Sequence, residues 1–150
     1  MKTKKILFVC KYNRFRSQIA ESYFRKINKN KSIEVSSAGI IRGWFPLDKD
    51  EVRVAKKIGI EIKKKPETLS TELLRKTDIV VVVANDISTK IFEGVYISPE
   101  SKKKFNTMNK LLVWKIPDVE AEDGDEKIGK IIKIIMINVE KLVKNLEKRK

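Results

Sequence analysis

Apolar residues along the chain fall into two alternating patterns, dense short runs and sparser runs spaced at three and four. Lys4 to Val9 holds Ile-Leu-Phe-Val without a break, which marks a strand covered on both faces rather than one with a wet side. Ile33 to Ser37 is a second strand candidate, and Ile79 to Ala84 is a run of five β-branched residues and an Ala. Leu111 to Lys115 closes the series before Pro117. Between these runs the spacing turns helical. Ile19, Ala20, Tyr23, Phe24 and Ile27 share one face after Ser17, and Asp50 to Ile58 reads as a helix stopped by Gly59. Ser70 is placed to cap a short helix through Arg75, and Asp86 another through Phe92. From about Glu126 onward Ile128, Ile131, Ile132, Ile135, Val139, Leu142, Val143 and Leu146 form one amphipathic stripe. Strands separated by helical segments require right-handed crossovers. The expectation is a single α/β domain over residues 1–150, with a four-stranded parallel sheet between helical layers.

Composition narrows the chemistry. The chain has 150 residues, one Cys, no His and a formal charge of +14. Without His there is no Ser-His or Cys-His pair and no imidazole metal ligand. A lone Cys removes internal disulfides and multi-thiolate metal sites. Catalysis is left to Cys, carboxylates, hydroxyls, Lys or Arg, with no metal and no cofactor expected. The basic start, Met1 to Lys5, is followed by only five apolar residues, Ile6 to Cys10, too few for a signal peptide. The longest apolar run has six residues, Ile79 to Ala84, against about 20 for a membrane helix. A reducing cytoplasm and no membrane partner are the expectation. Of the 34 cations, 27 are Lys and 7 Arg, whereas phosphate and base recognition favours Arg. A surface rich in Lys and Glu with a single Gln suits a heat-adapted protein. The charge is therefore read as attracting small anionic substrates rather than nucleic acid.

In a parallel sheet the ligand crevice lies beyond the carboxyl ends of the strands. The segment leaving the first strand reads Cys10-Lys11-Tyr12-Asn13-Arg14-Phe15-Arg16-Ser17, a Cys followed after five residues by Arg-Ser at the start of a helix. A Cys ending a buried strand is ordinarily a small core hydrophobe. This loop offers a second reading. Its amides can curl around an oxyanion, the helix start adds a positive dipole end, and Arg16 can donate two parallel hydrogen bonds to phosphoryl oxygens. The same field favours the thiolate of Cys10, since helix N-termini and cationic neighbours lower thiol pKa values to about 3.5–7.5. Lys11 and Arg14 are either solvated or part of that field. Asp118 is either a turn residue after Pro117 or a general acid, with Glu120, Glu122 and Asp123 as rivals. Trp44 and Phe45 stand in a loop punctuated by Gly43 and Pro46, where large apolar rings are harder to bury.

This constellation resembles the low-molecular-weight protein-tyrosine phosphatase family, whose superfamily includes thioredoxin-coupled arsenate reductases. The strongest stretch is Phe8 to Glu21, followed by Ser36-Ser37-Ala38-Gly39, Trp44 and Ile116-Pro117-Asp118. The resemblance implies a cysteine-dependent phosphatase that hydrolyses phosphotyrosine or small aryl phosphates through a phosphocysteine and releases inorganic phosphate. Cys10 would be the nucleophile, Asp118 the general acid, and Lys11, Tyr12, Asn13, Arg14, Phe15, Arg16 and Ser17 the phosphate-binding loop. Asn13, Ser17 and Ser37 would support that loop, and Tyr12, Trp44 and Phe45 would wall the substrate. The chain departs from the family in having Val119-Glu120 where aromatics commonly follow the acid, Tyr12 where a small residue is common, and Phe15 where a second Cys is frequent. A cleft rimmed by Glu120, Glu122 and Asp123 disfavours acidic peptides. Two other readings stay open: an arsenate reductase served by an external thiol, and a non-catalytic anion or nucleic-acid binding module.

Overall fold

The dense apolar runs lie side by side in the computed structural model, which describes residues 3–42, 46–62, 64–92, 110–120 and 122–148. They form β1 (Lys4–Cys10), β2 (Ile33–Gly39), β3 (Ile79–Val83) and β4 (Lys110–Trp114). All pairings are parallel, and the spatial order is β2-β1-β3-β4. β1 is central. Its last residue, Cys10, pairs with Gly39 at the end of β2, so the loop that follows opens at the point where the strand order reverses.

Side chains alternate across β1 and sort the core into two halves. Ile6 and Phe8 join Val81 and Val83 under α1 (Arg16–Ile27), α2 (Lys49–Lys57) and α4 (Asp125–Glu147). Leu7 and Val9 join Val80, Val82 and Phe92 on the other face, with Leu74 of α3 (Thr71–Arg75). The α4 stripe seats Ile128, Ile131, Ile132, Ile135, Val139, Leu142 and Val143 in the interior, as the spacing requires. Polar contacts pin α4 at two places. Arg53 grips Asp125 through bonds of 2.7 and 2.8 Å, and the Tyr23 hydroxyl donates to Glu140 at 2.6 Å. That bond to a carboxylate, with burial, pushes the phenol up to about 12. Among the described residues no helix is long and apolar enough to cross a membrane.

Several boundaries differ from the pattern reading. α2 starts at Lys49, one residue before the pattern's Asp50, because Asp48 is its cap, accepting from the Glu51 N–H at 3.0 Å. β2 runs on to Gly39, where the Glu67 carbonyl accepts its N–H at 2.8 Å. β4 begins and ends one residue earlier than read, and α4 starts at Asp125. The helix expected from Asp86 through Phe92 is a 3-10 turn over Thr89–Phe92. Ser88, not Asp86, takes the Lys90 N–H, at 3.3 Å, and Asp86 is engaged elsewhere. Trp44 and Phe45 lie outside the described residues.

Candidate functional site

The loop between β1 and α1 bends at Asn13, whose φ of 58° is left-handed, a conformation Asn tolerates better than most side chains. Hydrogen bonds hold it there. Its Oδ1 accepts from the Glu67 N–H at 3.0 Å, and its Nδ2 donates to Ser17 Oγ at 2.7 Å and Ser37 Oγ at 2.9 Å. Gln18 Nε2 adds a bond of 2.7 Å to the Asn13 carbonyl. The loop also presses on Gly39, where an added Cβ would stand 2.6 Å from the Tyr12 carbonyl carbon and 2.7 Å from Asn13 N. The Ser37 and Gly39 positions of the Ser-Ala-Gly segment are thus loop contacts.

Cys10 is buried and packs with Val9, Ala38 and Val82, which satisfies the core reading. It also lines a cleft beyond the carboxyl ends of the strands, and its Sγ lies 2.9 Å from Ser17 Oγ. Arg16 is 1% exposed although charged. Its Nη1 donates to the Ile116 carbonyl at 2.8 Å, while Nη2 sits 3.1 Å from Asp86 and 3.5 Å from Asp118. A cation this deep requires such partners. Asp86 was invisible in the sequence as a site residue. It stands 70 positions from Arg16, and only the adjacency of β1 and β3 brings the two together.

The cleft is lined by Cys10, Tyr12, Arg14 and Arg16, by Asp48, Asp50 and Glu51 at the head of α2, and by Asp118, Glu120 and Asp123 beyond β4. Asp118 faces Arg16, with its Oδ1 accepting the Val119 N–H at 2.9 Å. Asp123 is tied to the Glu120 N–H at 2.7 Å and to Lys127 at 3.4 Å, and Glu122 is exposed. Phe15 points its ring into the core, so only its backbone is available to an anion. The Lys11 ammonium lies 5.4 Å from the Tyr12 ring centroid. Arg14 Nε is buried with no hydrogen-bond partner among the described residues, an unsatisfied donor in a cleft suited to anions. Among those residues no group of three His, Cys, Asp or Glu side chains is arranged to hold a metal.

Glu51 is a second residue the sequence reading missed. Burial, then the negative charges of Asp48 and Asp118, raise its carboxyl to about 8, against the opposing pull of Arg14 and Arg16. A polar residue in the first turn of a helix looks the same in sequence whether it faces solvent or a cleft.

The family model described as low molecular weight phosphotyrosine protein phosphatase matches residues 5–150. An arsenate reductase of Halalkalibacterium halodurans is 29% identical over 147 residues, covering 96% of this chain and 95% of that protein. The crystal structure of arsenate reductase from Archaeoglobus fulgidus is 26% identical with a TM-score of 0.69, over 92% of this chain and 98% of that one. The low molecular weight protein tyrosine phosphatase from T. tengcongensis is 26% identical with a TM-score of 0.72, over 95% and 99%. Both activities are represented among the relatives of one fold.

Two substitutions probe this geometry. Gly39→Ala must displace the backbone of the loop, so it should cost about 1–3 kcal/mol in urea unfolding and weaken phosphate as a ligand. Unchanged stability and phosphate affinity would contradict the packing. Folded Glu51 keeps its proton up to about pH 8, whereas the unfolded carboxyl loses it near 4.5. The folded state therefore binds more protons between these values, and stability falls as pH rises through them. Glu51→Gln should match the wild type in thermal stability at about pH 4 and exceed it above about pH 8; an equal gap at both would refute the burial of Glu51.

Proposed function

This chain belongs to the low molecular weight phosphotyrosine protein phosphatase family, and on that premise we propose that it hydrolyses phosphotyrosine or small aryl phosphates through a phosphocysteine. The observation that carries this reading is the sulfur of Cys10 on the cleft wall, 2.9 Å from a serine hydroxyl, beside a buried arginine that opens a helix.

The backbone N–H groups from Lys11 to Arg16 hold the phosphoryl oxygens, and the Arg16 guanidinium exchanges part of its carboxylate contacts for them. The Cys10 thiolate attacks phosphorus in line with the phenolic oxygen. An S–P bond forms, the P–O bond to the phenol breaks, and Asp118, which takes up the proton brought by the phosphate monoanion as that group displaces it from Arg16, gives it to the departing oxygen. Asp118, now a carboxylate, takes a proton from a water that attacks phosphorus. The S–P bond breaks, and inorganic phosphate and the thiolate are restored. Catalysis of this kind is mainly placement and charge stabilisation. Asn13, Ser17 and Ser37 keep the loop in shape, and Tyr12 walls the aromatic ring. A reducing cytoplasm suits the single unpaired thiol.

The rim narrows the substrate. Acidic side chains from α2 and from the segment after β4 line the same cleft, so a phosphotyrosine flanked by Lys or Arg is favoured over one flanked by Glu. Arsenate reduction is a second reading, supported by the names of two relatives. Taking arsenic from the pentavalent to the trivalent state consumes two electrons, which two thiols supply by forming a disulfide. This sequence has one cysteine, so the second thiol would have to come from outside.

Aryl phosphate hydrolysis by the wild type and its loss in Cys10→Ser test the proposal; turnover that survives that change refutes it. Asp118→Asn should lower kcat by about 10²–10⁴. Phosphopeptides with basic flanks should show the higher kcat/KM. Arsenate with added thiol should give no reduction above the Cys10→Ser blank, and clear reduction would favour the second reading.

A further inference from the structure

Two stretches far apart in sequence bring carboxyl groups to the cleft, the head of α2 and the segment that leads from β4 into α4. They are anchored unequally. α4 sinks seven apolar side chains into the interior along its 23 residues, whereas α2 has nine residues and buries Val54 and Ala55, with Val52 partly covered. A helix that short is marginal by itself and takes its place from what it packs against. Its first turn carries Asp50 and Glu51 to the cleft.

Arg53 supplies a further anchor. Its Nη1 donates to Asp125 Oδ2 at 2.7 Å and its Nη2 to Asp125 Oδ1 at 2.8 Å, a fork that fixes direction as well as distance. The same Nη2 donates to Asp50 Oδ1 at 3.0 Å, one turn back on α2. Asp125 opens α4 just beyond the acidic segment. Among the described residues, the hydrogen bonds that join an α2 side chain to another element are these two to Asp125. The bond to Arg53 also holds the Asp125 carboxyl below its ordinary range, so both partners are charged at neutral pH.

We propose that Arg53 is a positioning residue for the bound anion: by clasping Asp125 and Asp50 together it keeps the first turn of α2, with Glu51, in place along the cleft. This rests on the reading of the cleft as the site for aryl phosphates. Cys10, Arg16 and Asp118 belong to other elements, so losing the clasp weakens the hold on the ligand and leaves the chemical step alone. Without the guanidinium, two carboxylates that each lie within 3.0 Å of one nitrogen have no cation between them, and they repel. Lys57 remains only as a weaker attraction on Asp125.

The test is calorimetric titration of the full chain with phenylphosphonate, whose P–C bond the thiolate cannot break, beside phenyl phosphate kinetics and hydrogen exchange. Arg53→Gln should weaken phenylphosphonate and raise KM about twofold to fivefold, the reach of one well-formed surface ion pair, with kcat unchanged. Amide exchange should quicken over residues 49–57 and hold in α4. Arg53→Lys keeps the charge but not the fork and should fall between. Asp125→Asn should act in the same direction, and the double variant should go no further than Arg53→Gln. A contact that only stabilises the fold would lower the melting temperature and leave Kd and KM where they were. That result would overturn the proposal, as would a loss confined to kcat or additive effects in the double variant. Should Arg53→Gln fail to fold, Asp125→Asn takes its place under the same outcomes. Weakened phenylphosphonate binding in a protein whose wild type hydrolyses no aryl phosphate would uphold the clasp and count against the assigned reaction.

Discussion

A short loop can enclose an anion only if its amides turn inward together, and the turn of this loop is made at Asn13 in the left-handed region. Four partners lock its bend, drawn from α1, β2 and the segment beyond α2. Three of the four bonds are buried, so breaking one of these leaves a polar group without water to replace its partner. The absence of a side chain at Gly39 lets β2 approach the loop. The cup is therefore a tertiary object. The loop sequence supplies the residues, and three other elements supply the shape.

Electrostatics follow from the same placement. Overall the chain is strongly cationic, yet its cleft carries six carboxyl side chains beside Arg14 and Arg16. Arg16 is compensated in the free protein by Asp86 and Asp118, which spares it the cost of a bare buried charge. Glu51 shows the opposite balance. It stands among carboxylates and keeps its proton until about pH 8, so below that pH it does not repel an incoming anion. The surface charge draws anions toward the molecule, and the rim sorts them by what is attached to them.

Much of this was legible in the sequence where a local rule applied. The buried strands follow from uninterrupted apolar runs, and α4 follows from its stripe of Ile, Val and Leu at helical spacing. Cys10, Asn13, Ser17 and Ser37 stand in short motifs, and hydrogen bonds link them in the structure. Asp86 and Glu51 stand in no such motif. Asp86 reaches the loop only through strand order and carries no local signature. Asp before a polar stretch commonly caps a helix, but the stronger demand of the buried Arg16 guanidinium takes Asp86 instead.

The central claim is that the loop delivers the Cys10 sulfur to a bound phosphorus. Acid quenching during turnover of an aryl phosphate, followed by peptide mass spectrometry, tests this most directly. One phosphoryl group should appear on the peptide that contains Cys10, and it should disappear as substrate is exhausted. Turnover with no phosphorylated Cys10, or with the label on another residue, would contradict it.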